Sequence, residues 1–176
     1  MKLITAILAS VIITTVAFAT QTAIADTSAD IPSEIYSQHE RPQLYCLAQN
    51  IYHEARGDSL AGRYAVADVV LNRVKDRRYP GTICEVVYQG KQDSNGRMIL
   101  NRCQFSWYCD GKSDDTPNAD KWIEAQAIAY QIVKMGTFRG ITEGATHYHA
   151  TYVDPSWNKR MDQIGRIGLH LFFRAP

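Results

Sequence analysis

A marked excess of charge of either sign is missing from this sequence: 19 lysines and arginines face 18 aspartates and glutamates along 176 residues. With no basic stripe to neutralise phosphates, nucleic acid is excluded as a partner. A hydrophobic run long enough for an ordinary membrane span is missing too, because the apolar stretch Leu3 to Phe18 is short and diluted by threonine and serine. There is no C-x-x-C pair, no second histidine after His53-Glu54 to complete H-E-x-x-H, no internal repeat and no low-complexity tract. These absences count against a cysteine-held zinc site, a zincin-type peptidase and a repeat array. Length limits the chain to one ordinary domain, and 45% hydrophobic residues suffice for one good core.

The amino-terminal stretch has the form of a leader. Lys2 precedes the apolar run, which ends in Ala17-Phe18-Ala19, and a second small-x-small site follows at Ala23-Ile24-Ala25. Residues 1–25 are predicted to be a secretory signal peptide and not a permanent membrane anchor, which places the mature protein in the periplasm or cell wall. Removing Lys2 with the leader leaves 18 charges of each sign. Export agrees with the even number of cysteines, and Cys46, Cys84, Cys103 and Cys109 are expected to form two disulfides. Three connectivities are open. One is disfavoured: were Cys103 to Cys109 continuous strand, its ends would lie about 20 Å apart where a disulfide needs about 5.5 Å, so that pair requires a sharp turn.

Residues 26–41 are polar and unpatterned and read as a tail ahead of a domain over 42–176. A first helix is predicted from Pro42 to Arg56, with Gly57 past its end. Leu44, Leu47 and Ile51 form one buried stripe on it, and the next position on that stripe is Glu54. A carboxyl held against apolar neighbours, in a last turn where the helix dipole disfavours negative charge, gains proton affinity and becomes a candidate general acid. The alternative is a structural glutamate paired with Arg56 or a neighbouring helix.

A second helix, capped by Ser59 and running to Asp76, is apolar on nearly every side and reads as the central core helix. Thr82-Ile-Cys-Glu85 has the capping-box pattern of a short helix to Tyr88, and Asn95-Gly96 marks a hairpin turn in a polar loop. Between Ile99 and Tyr108 strand-type alternation puts Ile99, Cys103, Phe105 and Trp107 on one face. Gln104, Ser106 and Tyr108, with Arg102, fall on the other, where amide, hydroxyl and phenol groups suit sugar hydroxyls and acetamido groups. Another helix spans Pro117 to Met135, stopped by Gly136. A strand over Ala145 to Val153 carries His147, His149 and Thr151 on one face, and Ile167, Leu169, Leu171 and Phe173 alternate in a final strand. The predicted fold class is α+β, helices with a small antiparallel sheet along one side.

Several segments together resemble the SleB-like cell-wall hydrolases, which include spore-cortex-lytic enzymes. They are Ile51-Tyr-His-Glu-Ala-Arg-Gly57, Ala65-Val-Ala-Asp-Val-Val-Leu-Asn-Arg-Val74, Tyr79-Pro-Gly-Thr-Ile83 with Val86-Val-Tyr-Gln89, Gln104-Phe-Ser106 with Asp110-Gly111, Ala145-Thr-His-Tyr148, and Ile167-Gly-Leu-His-Leu-Phe172. They occur in the family's order and span Leu44 to the C-terminus. The resemblance implies a lysozyme-like, lytic-transglycosylase-like domain acting on peptidoglycan glycan strands, with Glu54 as the catalytic acid. Longer members place a wall-binding domain ahead of the catalytic one, whereas here a short tail is expected; an oxidising periplasm fits wall remodelling or lysis better than germination.

Most glycosidases use two carboxylates. Here one stands out, with Asp58, Asp68 and Glu85 as weaker candidates for a second. A single-acid scheme, in which Glu54 protonates the bond oxygen and then accepts a proton from the muramic hydroxyl to give a 1,6-anhydro sugar, is expected over lysozyme-type hydrolysis. His147, Tyr148 and His149 are assigned with Gln104, Ser106 and Tyr108 to the cleft wall. No metal or cofactor is expected, and the protein is expected to be a monomer. The alternative is a zinc amidase or peptidase of the same wall, with His147 and His149 as ligands and His53 and His170 available to join them.

Overall fold

The computed structural model describes residues 40–176, so the predicted leader and nearly all of the predicted tail lie outside the described residues. The first helix, α1, covers Glu40–Ala55 and so takes in the last two residues assigned to the tail. Helix α2 covers Leu60–Lys75, with the Ser59 side chain accepting from the Gly62 N–H as its cap. The short α3, Ile83–Val87, starts on the Thr82 capping box, where the Thr82 hydroxyl accepts from the Glu85 N–H and donates to its carboxylate. Helix α4 covers Ala119–Lys134; Asn118, whose side chain accepts from the Lys121 N–H, caps it, and Pro117 stands just outside.

Two packing layers meet at α2. Leu47, Ile51, Ala67, Val70, Val86, Ile128 and Ile132 join the helices in one core, while Ala65 and Val69 turn the other way to meet Ala145 and Phe172 of the sheet side. That explains the near absence of a polar face on α2, whose Ala65, Val66, Ala67, Val69 and Val70 are all fully buried. Its remaining inward polar residues clamp the segment leading into the sheet. Fully buried Asp68 accepts from the Gly140 N–H at 3.0 Å, the Thr142 N–H at 3.1 Å and the Thr142 hydroxyl at 2.6 Å, and pairs with Arg139. One turn on, Asn72 donates to the Ala145 carbonyl at 2.9 Å, and Arg73 Nε to that of Thr146 at 2.8 Å.

The sheet differs from expectation at its end. β1 (Gly90–Gln92) and β2 (Met98–Cys103) form one antiparallel hairpin, and β3 (His147–Ala150), β4 (Asp162–Ile167) and β5 (His170–Arg174) form a second sheet in the order β3-β5-β4. The single final strand through Ile167, Leu169, Leu171 and Phe173 is therefore two strands. Gly168, at φ +58, turns the chain between them, and the Asp58 carboxylate accepts from the Leu169 N–H at 3.0 Å and contacts His170 Nδ1 at 3.0 Å. Alternation survives a tight turn, so the pattern alone does not show the break.

The second correction lies between Ile99 and Tyr108. β2 stops at Cys103, and Ser106–Cys109 is a short 3-10 helix, so Gln104, Ser106 and Tyr108 do not share a strand face. That helix supplies the sharp turn that the disfavoured pairing needed: Cys103 is bonded to Cys109, with Cα atoms 6.0 Å apart, and Cys46 to Cys84, tying α1 to α3. No helix among the described residues is long and apolar enough to cross a membrane.

Candidate active site

Glu54 sits in the last turn of α1, on the stripe below fully buried Leu47 and Ile51, and is itself half-buried. Tyr148 in β3 reaches across and donates its hydroxyl to Glu54 Oε2 at 3.1 Å. Because strand side chains alternate, Tyr148 points to α1 while His147 and His149 point to the opposite face. The Tyr148 ring is held edge-on to His170 at 5.1 Å and tilted against Phe172 at 5.7 Å. Burial raises the proton affinity of Glu54 above the usual carboxylate range; the Tyr148 hydrogen bond and the positive charge of Arg73 pull the other way without cancelling it. The same burial, with the Glu54 charge beside it, raises the Tyr148 phenol well above its ordinary value, so it remains a neutral donor.

Behind Glu54 the support is polar. Fully buried Asn50, one helical turn earlier, accepts from the Trp107 indole N–H at 3.2 Å. Trp107 in turn stacks on His53 at 4.5 Å, and His53 Nε2 lies 3.2 Å from the Asp114 carbonyl. Burial lowers the His53 pKa, outweighing that hydrogen bond. Beside this stack opens a groove of about 330 Å³, lined by Tyr52, His53, Arg56 and Trp107 together with Asp110 and Asp114.

The predicted wall residues are dispersed. Gln104 and Ser106 are exposed on the turn around the short helix, and the Tyr108 ring leans on Tyr88 at 4.5 Å. His147 lies 5.4 Å from the Trp157 ring, and burial, with the charges of Arg73 and Arg78 behind it, pushes its pKa down to about 4. His149 is buried, stacked on Phe173 at 5.0 Å with Nε2 3.3 Å from Asn158 Nδ2. Of the six, Tyr148 is the one hydrogen-bonded to Glu54 among the described residues.

Each candidate second acid has other work. Burial alone would raise Asp58, but hydrogen bonds from Leu169, Ser59 and His170 hold its carboxyl below the usual range. Asp68 clamps the 139–142 segment, and Glu85 closes its helix cap. The zinc alternative fares no better: His53, His149 and His170 contact Trp107, Phe173 and Asp58 respectively, and no group of three or more His, Cys, Asp or Glu side chains among the described residues could hold a metal ion.

Residues 57–173 match the cell wall hydrolase family, Hydrolase_2. The chain belongs to the cell wall hydrolase family. That match begins at Gly57, just past Glu54. This cell wall hydrolase is similar in structure to the catalytic domain of the germination-specific lytic transglycosylase SleB from Bacillus anthracis, with a TM-score of 0.56 and 27% identity over 80% of this chain and 98% of that one. The catalytic domain of the Bacillus cereus SleB protein aligns at a TM-score of 0.54 and 26% identity, over 79% of this chain and 92% of that one. The α+β architecture is thus that of the SleB catalytic domains. In sequence it is 27% identical to a spore cortex-lytic enzyme of Bacillus cereus over 78% of this chain and 45% of that protein. Another from Halalkalibacterium halodurans is 27% identical over 73% of this chain and 34% of that protein. The chain spans less than half the length of these two relatives.

Two of the supporting residues, Asn50 and Arg73, were not singled out from sequence. The signal was there: like Glu54, each interrupts the apolar face of a helix, Asn50 between Leu47 and Ile51 and Arg73 one turn after Val69 and Val70.

Proposed function

We propose that this chain cleaves the glycan strand of peptidoglycan between N-acetylmuramic acid and N-acetylglucosamine, with Glu54 as its general acid and then its base. The supporting observation is a carboxyl with raised proton affinity, held by Tyr148 at the end of α1, while Asp58, Asp68 and Glu85 are all engaged elsewhere. Glu54 gives its proton to the glycosidic oxygen, and the C–O electron pair leaves with that oxygen as an oxocarbenium-like centre forms at the muramic carbon. The Glu54 carboxylate then takes the proton of the same sugar's 6-hydroxyl, whose oxygen closes onto that centre. The product is a 1,6-anhydro sugar, and the acid is regenerated without a second carboxylate.

The transglycosylase named among the similar structures supports this outcome over hydrolysis. A groove lined by His53, the residue before Glu54, also suits a saccharide, because the charged groups of Arg56, Asp110 and Asp114 lie there beside the edges of Tyr52 and Trp107. Export by the predicted leader carries the enzyme to its substrate, and the two disulfides suit an oxidising compartment. Digestion of purified sacculi, with the soluble fragments weighed by mass spectrometry, is the test. Anhydro-muropeptides are expected. Reducing muramic ends would replace this reading with lysozyme-type hydrolysis, and free peptides would replace it with an amidase.

A further inference from the structure

Arg73 is a charged residue in an uncharged place. It is 5% exposed, in the last turn of α2. Its guanidinium carbon stands 5.3 Å from the Tyr79 ring centroid and 5.1 Å from that of Phe105. Its Nε donates to the Thr146 carbonyl, two residues before Tyr148, and its buried Nη1 meets no acceptor among the described residues. No carboxylate among the described residues is in ion-pair contact with it. A buried guanidinium with two aromatic faces, the Tyr79 phenol and one carbonyl, but no carboxylate in contact, is poorly compensated, an arrangement that stability alone disfavours.

Arg73 is tied to the reacting groups through β3: its Nε holds the Thr146 carbonyl, and two residues on the Tyr148 hydroxyl bonds Glu54. On α1 the carboxylate whose field Arg73 feels is Glu54; on β3 it faces the Tyr148 phenol and lies close enough to His147 to depress it, with Arg78 adding to that effect; after α2 it faces the Tyr79 phenol. His147 is neutral above about pH 4, so it adds no second cation beside Arg73 in the working range. The Tyr148 phenol also stays neutral. Glu54 is then the group here whose charge changes during turnover.

We propose that Arg73 is a positioning residue for proton transfer, a fixed buried cation that acquires its counter-charge at Glu54 only as the proton leaves for the substrate. The inference rests on the reading of Glu54 as general acid. While Glu54 is protonated the cation has no ionic partner; as the glycosidic oxygen takes the proton the pair forms inside a low-dielectric site, so the stabilisation appears in the transition state and not in the ground state. When the carboxylate recovers a proton from the 6-hydroxyl, the pair is released and the cycle closes. Tyr148 contributes in the same direction, since its hydroxyl bonds the carboxylate more strongly than the acid.

The test is the pH profile of Arg73→Met on sacculi, with melting temperature measured on the same preparation. Expected are a kcat about tenfold lower with KM little changed, and an alkaline limb, which reports loss of the Glu54 proton, moved to higher pH because the charge that favours ionisation is gone. Arg73→Lys should return the limb to the parental position and recover part of kcat. Arg73→Gln keeps a donor for the Thr146 carbonyl and carries the same forecast as the methionine variant should that one fail to fold. An unmoved limb in a folded neutral variant, or a folded Arg73→Lys whose limb has moved, would overturn the proposal. Glu54→Gln separates the two levels: if it stays active the general-acid reading fails, and if it is inactive while the Arg73 limb is unmoved, the role of Arg73 alone fails.

Discussion

Removing the two disulfides one at a time should separate stability from activity. Cys46–Cys84 closes a sequence separation of 38 and ties α1 to α3, whereas Cys103–Cys109 closes one of 6 around the short helix that carries Trp107. Loop-closure entropy gives about 4 kcal/mol for the larger loop and about 2 kcal/mol for the smaller. For a domain of this size, at about 3–4 °C per kcal/mol, melting should fall by about 14 °C in Cys46→Ala/Cys84→Ala and by about 7 °C in Cys103→Ala/Cys109→Ala. Activity should rank the other way. Trp107 donates to Asn50 and stacks on His53, so loosening its turn disturbs the polar support one helical turn from Glu54. The assay is thermal melting of both double variants beside turnover on sacculi, taken well below the lower melting point. The reasoning is refuted if the smaller loop proves the greater source of stability, or if its loss leaves turnover at the parental value.

Two further outcomes concern the sheet side of the domain. His147 is held at about 4, below the usual 6.5 of an imidazole, because burial outweighs any gain from protonation; the unfolded chain therefore binds the proton first. Its contribution to stability is complete above about pH 6.5 and is lost as pH falls towards 4, and His147→Asn should flatten that part of a stability-versus-pH curve measured by urea unfolding. Gly168→Ala places a Cβ 2.0 Å from Asp58 Oδ1 at a φ of +58, so the β4–β5 turn must give way. Strained backbone alone accounts for about 1–3 kcal/mol, and chemical denaturation matching the parent would contradict the assignment of Asp58 as the latch of that turn.

Periodicity made most of the helices legible, because each buries one face against a neighbour and its ends carry local caps: Ser59, Thr82 and Asn118 all act through their side chains. Glu54 was legible for the same reason, as a carboxyl on an otherwise apolar stripe. The sheet was less legible. A two-residue period runs unchanged through the Gly168 turn, and Phe105, Trp107 and Cys109 are buried alternately although a 3-10 helix carries the last two. The wall residues read from that period were therefore scattered. Tyr148 is reached through strand alternation, but its partner on α1 is set by packing between β3 and the helical layer, a long-range contact that no local pattern encodes. The burial of Arg73 is likewise set by tertiary packing, against the Tyr79 and Phe105 rings.

The measurement closest to the central claim is turnover of Glu54→Gln beside its melting temperature. Glutamine keeps the shape, still accepts from the Tyr148 hydroxyl and is easier to bury than a carboxylate, but it has no proton to transfer. A catalytic Glu54 requires a variant at least as stable as the parent with activity lower by about a hundredfold or more. A variant that is folded and fully active, or one whose activity loss merely follows unfolding, would remove Glu54 from the chemistry.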